Sequence, residues 1–243
     1  MNNLWKYVII ASAVVISAVV LAAAYTNRYN AQSGTISVTG LGETEFTSDL
    51  IVIEGSIKAE CYEVTEAYAN IEHQRKTVTT FLTERGVKAE NITFHMPSVN
   101  ELSRSAYEEG RYVGEHFAGY RISQSFSIES KDVDIVETAA RELPSLLTEK
   151  INIEVDEPLY YYSELDNVKH DLISAAAADA RLRAQRIASS SNAELGDLHR
   201  SNSGVFQITS TTGNEEYSWG GSFNLTSRDK KARVTVHAEY KIK

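Results

Sequence analysis

Apolar residues alternate with polar ones at Ile36 and Val38, and again from Leu50 to Ala59, where Ile51, Ile53, Ile57 and Ala59 share one side. A period of two predicts half-buried strands. Gly40 and Gly42 read as the turn between them. The period then lengthens. In "EVTEAYANIEHQRKTVTTFLTERG", Val64, Ala67, Tyr68, Ile71, Val78, Phe81 and Leu82 form a stripe at helical spacing, and Gly86 supplies the stop. Two more strands follow, Ile92 to about Leu102 and Phe117 to Glu129, the second with Tyr120, Ile122, Phe126 and Ile128 in alternation. Between them "SRSAYEEGRYVGEH" reads as a hairpin extension or a loop.

A second helix is predicted from about Asp132 to Thr148, with Val133, Val136, Ala140, Leu143 and Leu147 towards the core and Pro144 kinking it or closing it early. Ile151 to Tyr162 reads as one strand. Ser163 then occupies the N-cap position, with Asp166 three residues on, ahead of a helix from about Glu164 to Ser191. Leu198 to Thr209 and Ala232 to Ile242 are the last predicted strands, separated by the turn-rich "STTGNEEYSWGGSFNLTSRDKK". The order ββαββαβαββ predicts an α+β fold: a mostly antiparallel sheet packed against helices, with an N-terminal membrane-spanning or signal helix ahead of it.

The third helix of that order has a peculiarity. "SAAAADARLRAQRIA" places alanine at Ala176, Ala180, Ala184 and Ala188, every fourth residue. Residues four apart form one ridge. A ridge of methyl groups lets a neighbouring backbone approach closely, so these four are assigned to packing against the sheet. Leu172, Ile173 and Ile187 are expected beside them, with Ala180 and Ala184 the most buried. Arg181, Arg183 and Arg186 should point away.

The N-terminus departs from the globular pattern. "YVIIASAVVISAVVLAAAY", Tyr7 to Tyr25, carries no charge. At 1.5 Å per residue it is about 28 Å long, near the thickness of bilayer hydrocarbon. Trp5, Tyr7, Tyr25 and Tyr29 flank it as interfacial aromatics. The segment 1–29 reads as an uncleaved anchor, with a signal peptide cleaved after Ala22-Ala23-Ala24 as the rival. Either reading exports residues 34–243, taken as one domain or two packed halves, across the inner membrane.

Composition narrows the function classes. A hydrophobic fraction of 42% supports a real core. The charge of -9 disfavours nucleic acid, whose phosphates it repels. The single cysteine, Cys61, permits no internal disulfide. It reads as a half-buried strand-end residue, the alternative being an intermolecular disulfide or a redox sensor.

Candidate chemistry is sparse. The histidines at 73, 95, 116, 170, 199 and 237 form neither H-x-H nor H-E-x-x-H. His95 and His116 are the one pair a hairpin could bring face to face, and surface placement is the simpler reading. No G-x-S-x-G, Walker loop or G-x-G-x-x-G is present. The carboxylate pairs Glu108-Glu109 and Glu215-Glu216 fall in predicted loops. No catalytic residue, metal ligand or cofactor site is therefore assigned. "YSWGGSF" sets Tyr217, Trp219 and Phe223 in a glycine-rich loop, where an aromatic anchors a partner or caps the edge of the core.

"ISVTGLGETEFTSDLIVIEGSI" and its tyrosine-containing helix resemble the start of SIMPL-domain (DUF541) proteins. The similarity continues in "YYYSELDNVKHDLISAAAADARLRAQRIASSSNAELGDLHRSNSGVFQI", with A-x-x-x-A spacing and Gly196 before a strand, and ends in "ARVTVHAEYKI". The resemblance implies an envelope protein, periplasmic or membrane-associated. It also implies homo-oligomers, ring-like in some members, a link to stress tolerance and no established catalytic residues. The expected function is that of a non-enzymatic envelope protein that self-associates or binds envelope partners. The alternative is a periplasmic binding module for a small hydrophobic or peptide ligand, its pocket rimmed by Tyr160, Tyr161 or Tyr162.

Overall fold

A computed structural model describes residues 4–32, 34–213 and 218–243. The elements are α1 (Leu4–Gln32), β1 (Thr35–Thr47), β2 (Leu50–Cys61), α2 (Val64–Glu84), β3 (Ile92–Phe94), β4 (Ser98–Glu108), β5 (Arg111–Ser130) and α3 (Val133–Glu142). There follow β6 (Ile153–Val155), β7 (Leu159–Tyr161), α4 (Leu165–Ser190), β8 (Leu195–Ser203), β9 (Gln207–Ser210), β10 (Ser222–Phe223) and β11 (Asp229–Ile242). This is an α+β fold with mostly antiparallel sheets and an apolar N-terminal helix. It divides into two compact units: Met1–Thr44, Val168–Phe206 and Arg233–Lys243; and Glu45–Asn167 with Gln207–Ala232.

In the first unit β11 lies between β1 and β8, antiparallel to β8 with His237 opposite Asn202. The inward residues Ile36, Val38, Ala238 and Tyr240 meet Ala180, Ala184 and Ala188 of α4 in a small core. In the second unit β5 pairs with β3, β4 and β2, and β2 carries β6 and β7 on its other edge. Its larger core joins Ile51, Ile53 and Ile57 of β2 to Ala67, Ile71, Val78 and Leu82 of α2 and to Ile122, Phe126 and Ile128 of β5. Strands β9 and β10 pair in parallel, Phe223 opposite Ile208.

Several predicted elements are subdivided. The strand foreseen from Ile92 to Leu102 breaks at 95–97, where Pro97 has no amide hydrogen for the ladder. The one foreseen from Ile151 to Tyr162 breaks at 156–158, around Pro158. Leu198 to Thr209 is two strands, separated at 204–206. The helix predicted to Thr148 ends at Glu142 and continues as 3-10 turns through Leu143–Glu149, with Pro144 in the first turn; Leu147, expected inside, is exposed. Ser163 does not cap α4. Its amide donates to Asp49 Oδ1 at 2.7 Å and its hydroxyl to Asp49 Oδ2. Nor do Gly40 and Gly42 form a turn: β1 runs through both to Thr47.

Candidate functional site

Where α4 meets β1, the glycines explain the alanines. A Cβ added at Gly40 would lie 2.1 Å from the Ala176 carbonyl oxygen and 2.4 Å from the Ala180 nitrogen. One added at Gly42 would lie 2.3 Å from the Leu172 carbonyl oxygen. Strand and helix therefore touch backbone to backbone. Ala176, Ala180, Ala184 and Ala188 are all buried, to within 1% of one another, so no pair stands out as the deepest. Leu172 is buried beside them, whereas Ile187 is exposed, a quarter turn away from the ridge. Between the two glycines the Leu41 amide donates to Asp179 Oδ2 at 2.8 Å, and Arg183 Nε donates to the same oxygen at 2.8 Å.

In the second unit β4 and the first part of β5 form a long arm. The register runs from Ser98 opposite Ser123 to Glu108 opposite Arg111, with irregularities between Leu102 and Ser103 and between Ala106 and Tyr107. β2 pairs with β5 only from Tyr120 onward, so Arg111–Gly119 has β4 as its sole neighbour among the described strands. One face of the arm is aromatic. Tyr107 and Tyr112 meet edge to face at 5.8 Å, and Phe117 stands between Tyr62 at 5.3 Å and Tyr120 at 5.1 Å. Ser103 donates to Glu115 on that same face at 2.8 Å. The pairs Arg104–His116 and Ala106–Gly114 alternate onto the other face.

Trp219 is 100% exposed, so it caps no core edge. Its loop is fastened from beneath by Gln207, whose amide donates to the Ser218 carbonyl at 2.6 Å and accepts from the Ser222 hydroxyl at 2.8 Å. Phe223 is half exposed in β10. Tyr217, Glu215 and Glu216 lie outside the described residues.

Ionisable side chains converge at one place in the second unit. Arg228 reaches Asp134 and, at 3.9 Å, Glu137. The hydrogen bond from Arg228 holds the Asp134 carboxyl below the usual carboxylate range. Burial, then the charge and hydrogen bond of Glu137, push the Tyr160 hydroxyl up. Tyr160 itself is buried in the core, and Tyr162 stacks on Phe46 at 4.8 Å. These contacts tie α3 and β7 to Arg228, the residue ahead of β11. A crevice of about 350 Å³ lies elsewhere in this unit, lined by Glu54, Ser56, His95, Ser125, Glu154 and Asp156. It is polar and open, ill-suited to a hydrophobic ligand.

His95 and His116 do not meet: His116 is opposite Arg104, and the His95 amide bonds to Ser125. In the first unit His237 Nε2 lies 3.0 Å from the Ser37 hydroxyl and Nδ1 3.3 Å from that of Thr39, all three exposed on the sheet. Such cross-strand contacts are ordinary on a solvated sheet face. Cys61 is half-buried at the end of β2 and accepts from Asn70 Nδ2 at 3.1 Å. Among the described residues, no group of three or more His, Cys, Asp or Glu side chains is placed to hold a metal ion.

The family model "SIMPL: Protein of unknown function (DUF541)" matches residues 36–240. The chain belongs to the SIMPL family. No curated protein matches it. Among solved structures, the de novo designed protein Foldit4 aligns with 44% of this chain and 93% of its own, at 14% identity and a TM-score of 0.21.

Within this SIMPL domain, the sequence placed Trp219 and Phe223 in a glycine-rich loop, where Trp219 lies while Phe223 belongs to β10, and put the four alanines on one ridge. It did not single out the arm. The signal was present in "AYEEGRYV", where Tyr107 and Tyr112 flank a tight turn carrying Gly110. Read as a turn between two strands, that spacing puts both rings on one face.

Proposed function

We propose that this SIMPL protein is a non-enzymatic component of a bacterial cell envelope. It is held at the inner membrane by α1, with its domain exported to the periplasm, and acts by self-association or by binding other envelope proteins in tolerance of envelope stress. The observation that carries the reading is the helix itself. From Ile9 to Thr26 its mean hydropathy is 2.3, and none of it is buried in the fold. A helix that is apolar all round and unused by the core has the properties of a bilayer-facing segment. Some of the domain's charged groups pair with one another, as in Lys58–Glu154, Arg85–Glu142 and Arg121–Glu60.

Membrane fractionation combined with mass spectrometry of the intact chain tests this. An intact N-terminus that resists carbonate extraction, with the domain accessible to protease only from the outer side, is the expected result. Recovery of the intact chain in the soluble cytoplasmic fraction would overturn it. A mature chain beginning near Tyr25 would replace the anchor with a cleaved signal.

A further inference from the structure

We propose that the aromatic face of the β4–β5 arm of one copy packs on the opposite face, which carries Arg104 and Arg111, of the arm of a second copy. The proposal rests on the self-association reading and names its surface.

A two-stranded ribbon is marginal in water on its own. The outer part of this arm, Arg111–Gly119 with its partner stretch of β4, pairs with no third strand among the described residues. It nevertheless carries large apolar groups. Tyr107, Tyr112 and Phe117 are 65, 54 and 40% exposed, and Tyr62, which follows β2 and packs on Phe117, is 66% exposed. At about 150–250 Å² per aromatic side chain, covering their exposed parts removes on the order of 450 Å² from water. Val99, on the same face, is also exposed. With an equal area on the second copy, the contact reaches about 1,000 Å², the size at which specific association begins.

The arm contains both halves of a complementary contact, and that argues for a second copy of this chain. The aromatic face bears two carboxylates, Glu101 and Glu115. The other face bears Arg104 opposite His116 and, in the last pair before the turn, Arg111 opposite Glu108, so by register two arginines share this face with one glutamate. Between those arginines Ala106 stands opposite Gly114, and a Cβ at Gly114 would meet nothing within 4 Å. This flat stretch accepts a protruding ring. Tyr107 and Tyr112 of the neighbour fit it, flanked by guanidinium groups that interact favourably with ring faces and with Glu101 and Glu115. The two contacting faces are different, so the contact is head to tail and leaves each arm one face for a further copy.

Charge reversal on the full chain in mild detergent tests the pairing, with mass read by sedimentation. Wild type is expected to sediment as an oligomer. R104E/R111E places like charges across the contact and should raise the dissociation constant at least tenfold. Adding E101R/E115R to that variant should restore assembly. All four residues are exposed, so far-ultraviolet circular dichroism should stay unchanged; Tyr112→Ser, which should weaken assembly similarly, decides the matter if it does not. An oligomeric wild type that R104E/R111E and Tyr112→Ser leave intact overturns the arm contact and spares self-association. A monomeric wild type at high concentration overturns both.

Discussion

The Leu41 backbone amide donates to the Asp179 carboxylate at 2.8 Å, at the point where Gly40 and Gly42 bring strand β1 onto helix α4. The bond joins residues 138 positions apart in sequence, and the accepting oxygen also receives Arg183. One side chain thus pins a strand to a helix that otherwise meets it through methyl groups and backbone.

Removing that carboxylate should expose the weakness of a joint with few side chains. Asp179→Ala leaves the part-buried Leu41 amide without its acceptor, at a cost of about 1–3 kcal/mol. Asp179→Asn keeps an oxygen in place and should cost less. Thermal unfolding of the two variants, compared with wild type, checks the order; equal melting temperatures would count against the role given to this bond.

The close approach itself predicts intolerance to a single methyl group. Gly40→Ala directs a carbon to within 2.1 Å of a helix carbonyl, so α4 must move. Ala180→Leu overfills the same contact, typically costing about 1–3 kcal/mol. Ala177→Leu, on the exposed side of the helix, should change stability by no more than about 0.5 kcal/mol. Chemical denaturation midpoints for the three variants provide the measurement.

Acidification should destabilise the second unit. Burial pushes the Asp49 carboxyl up, but the hydroxyl and amide of Ser163 outweigh it and hold the folded value below 3.8. Asp134 is lowered by Arg228. Groups lowered on folding contribute stability that is complete above the ordinary carboxylate value and is lost as pH falls through the folded one. Stability should therefore fall below about pH 4, and Asp49→Asn should flatten that fall while lowering stability at pH 7. Denaturation midpoints between pH 7 and pH 3 measure both effects.

Trp219 should behave as a surface reporter. The chain has two tryptophans, so Trp5→Phe leaves Trp219 alone. Its emission should be that of indole in water and be freely quenched by iodide. Trp219→Ala should shift the melting temperature by no more than about 2 °C, because the ring touches no core. Protection from iodide on raising protein concentration would place this loop in an assembly contact.

Much of the fold is legible in the sequence because burial has a period. Ile51, Ile53 and Ile57 alternate as a strand with one wet face must, and Ala67, Ile71, Val78 and Leu82 repeat as a helix with one dry side. The sequence misleads where a residue has two uses. Gly40 and Gly42 look like turn residues because glycine usually serves there, yet here they supply the absence of a side chain to a helix far along the chain. Ser163 has the chemistry of a cap but spends it on Asp49. Tyr160 sits in "LYYYS" with nothing local to distinguish it from its neighbours, and only the fold shows it packed inwards beside Glu137. The arm was half legible, since a hairpin was foreseen as one of two options. Tyr107, Tyr112, Arg104 and Arg111 sort by plain alternation, but Phe117, five residues from Tyr112, joins the tyrosines' face only through the irregularity between Ala106 and Tyr107, which composition does not reveal.

The contact between Gly40 and the alanine ridge has a thermodynamic consequence. Alanine and glycine have no rotamers to lose, so docking α4 on β1 freezes almost no side-chain motion. The ordering cost falls instead on the unfolded chain around two glycines, whose backbone samples conformations closed to other residues. Once formed, such a seam has no alternative packings to hop between, and the first unit should behave as a stiff element with few conformational substates.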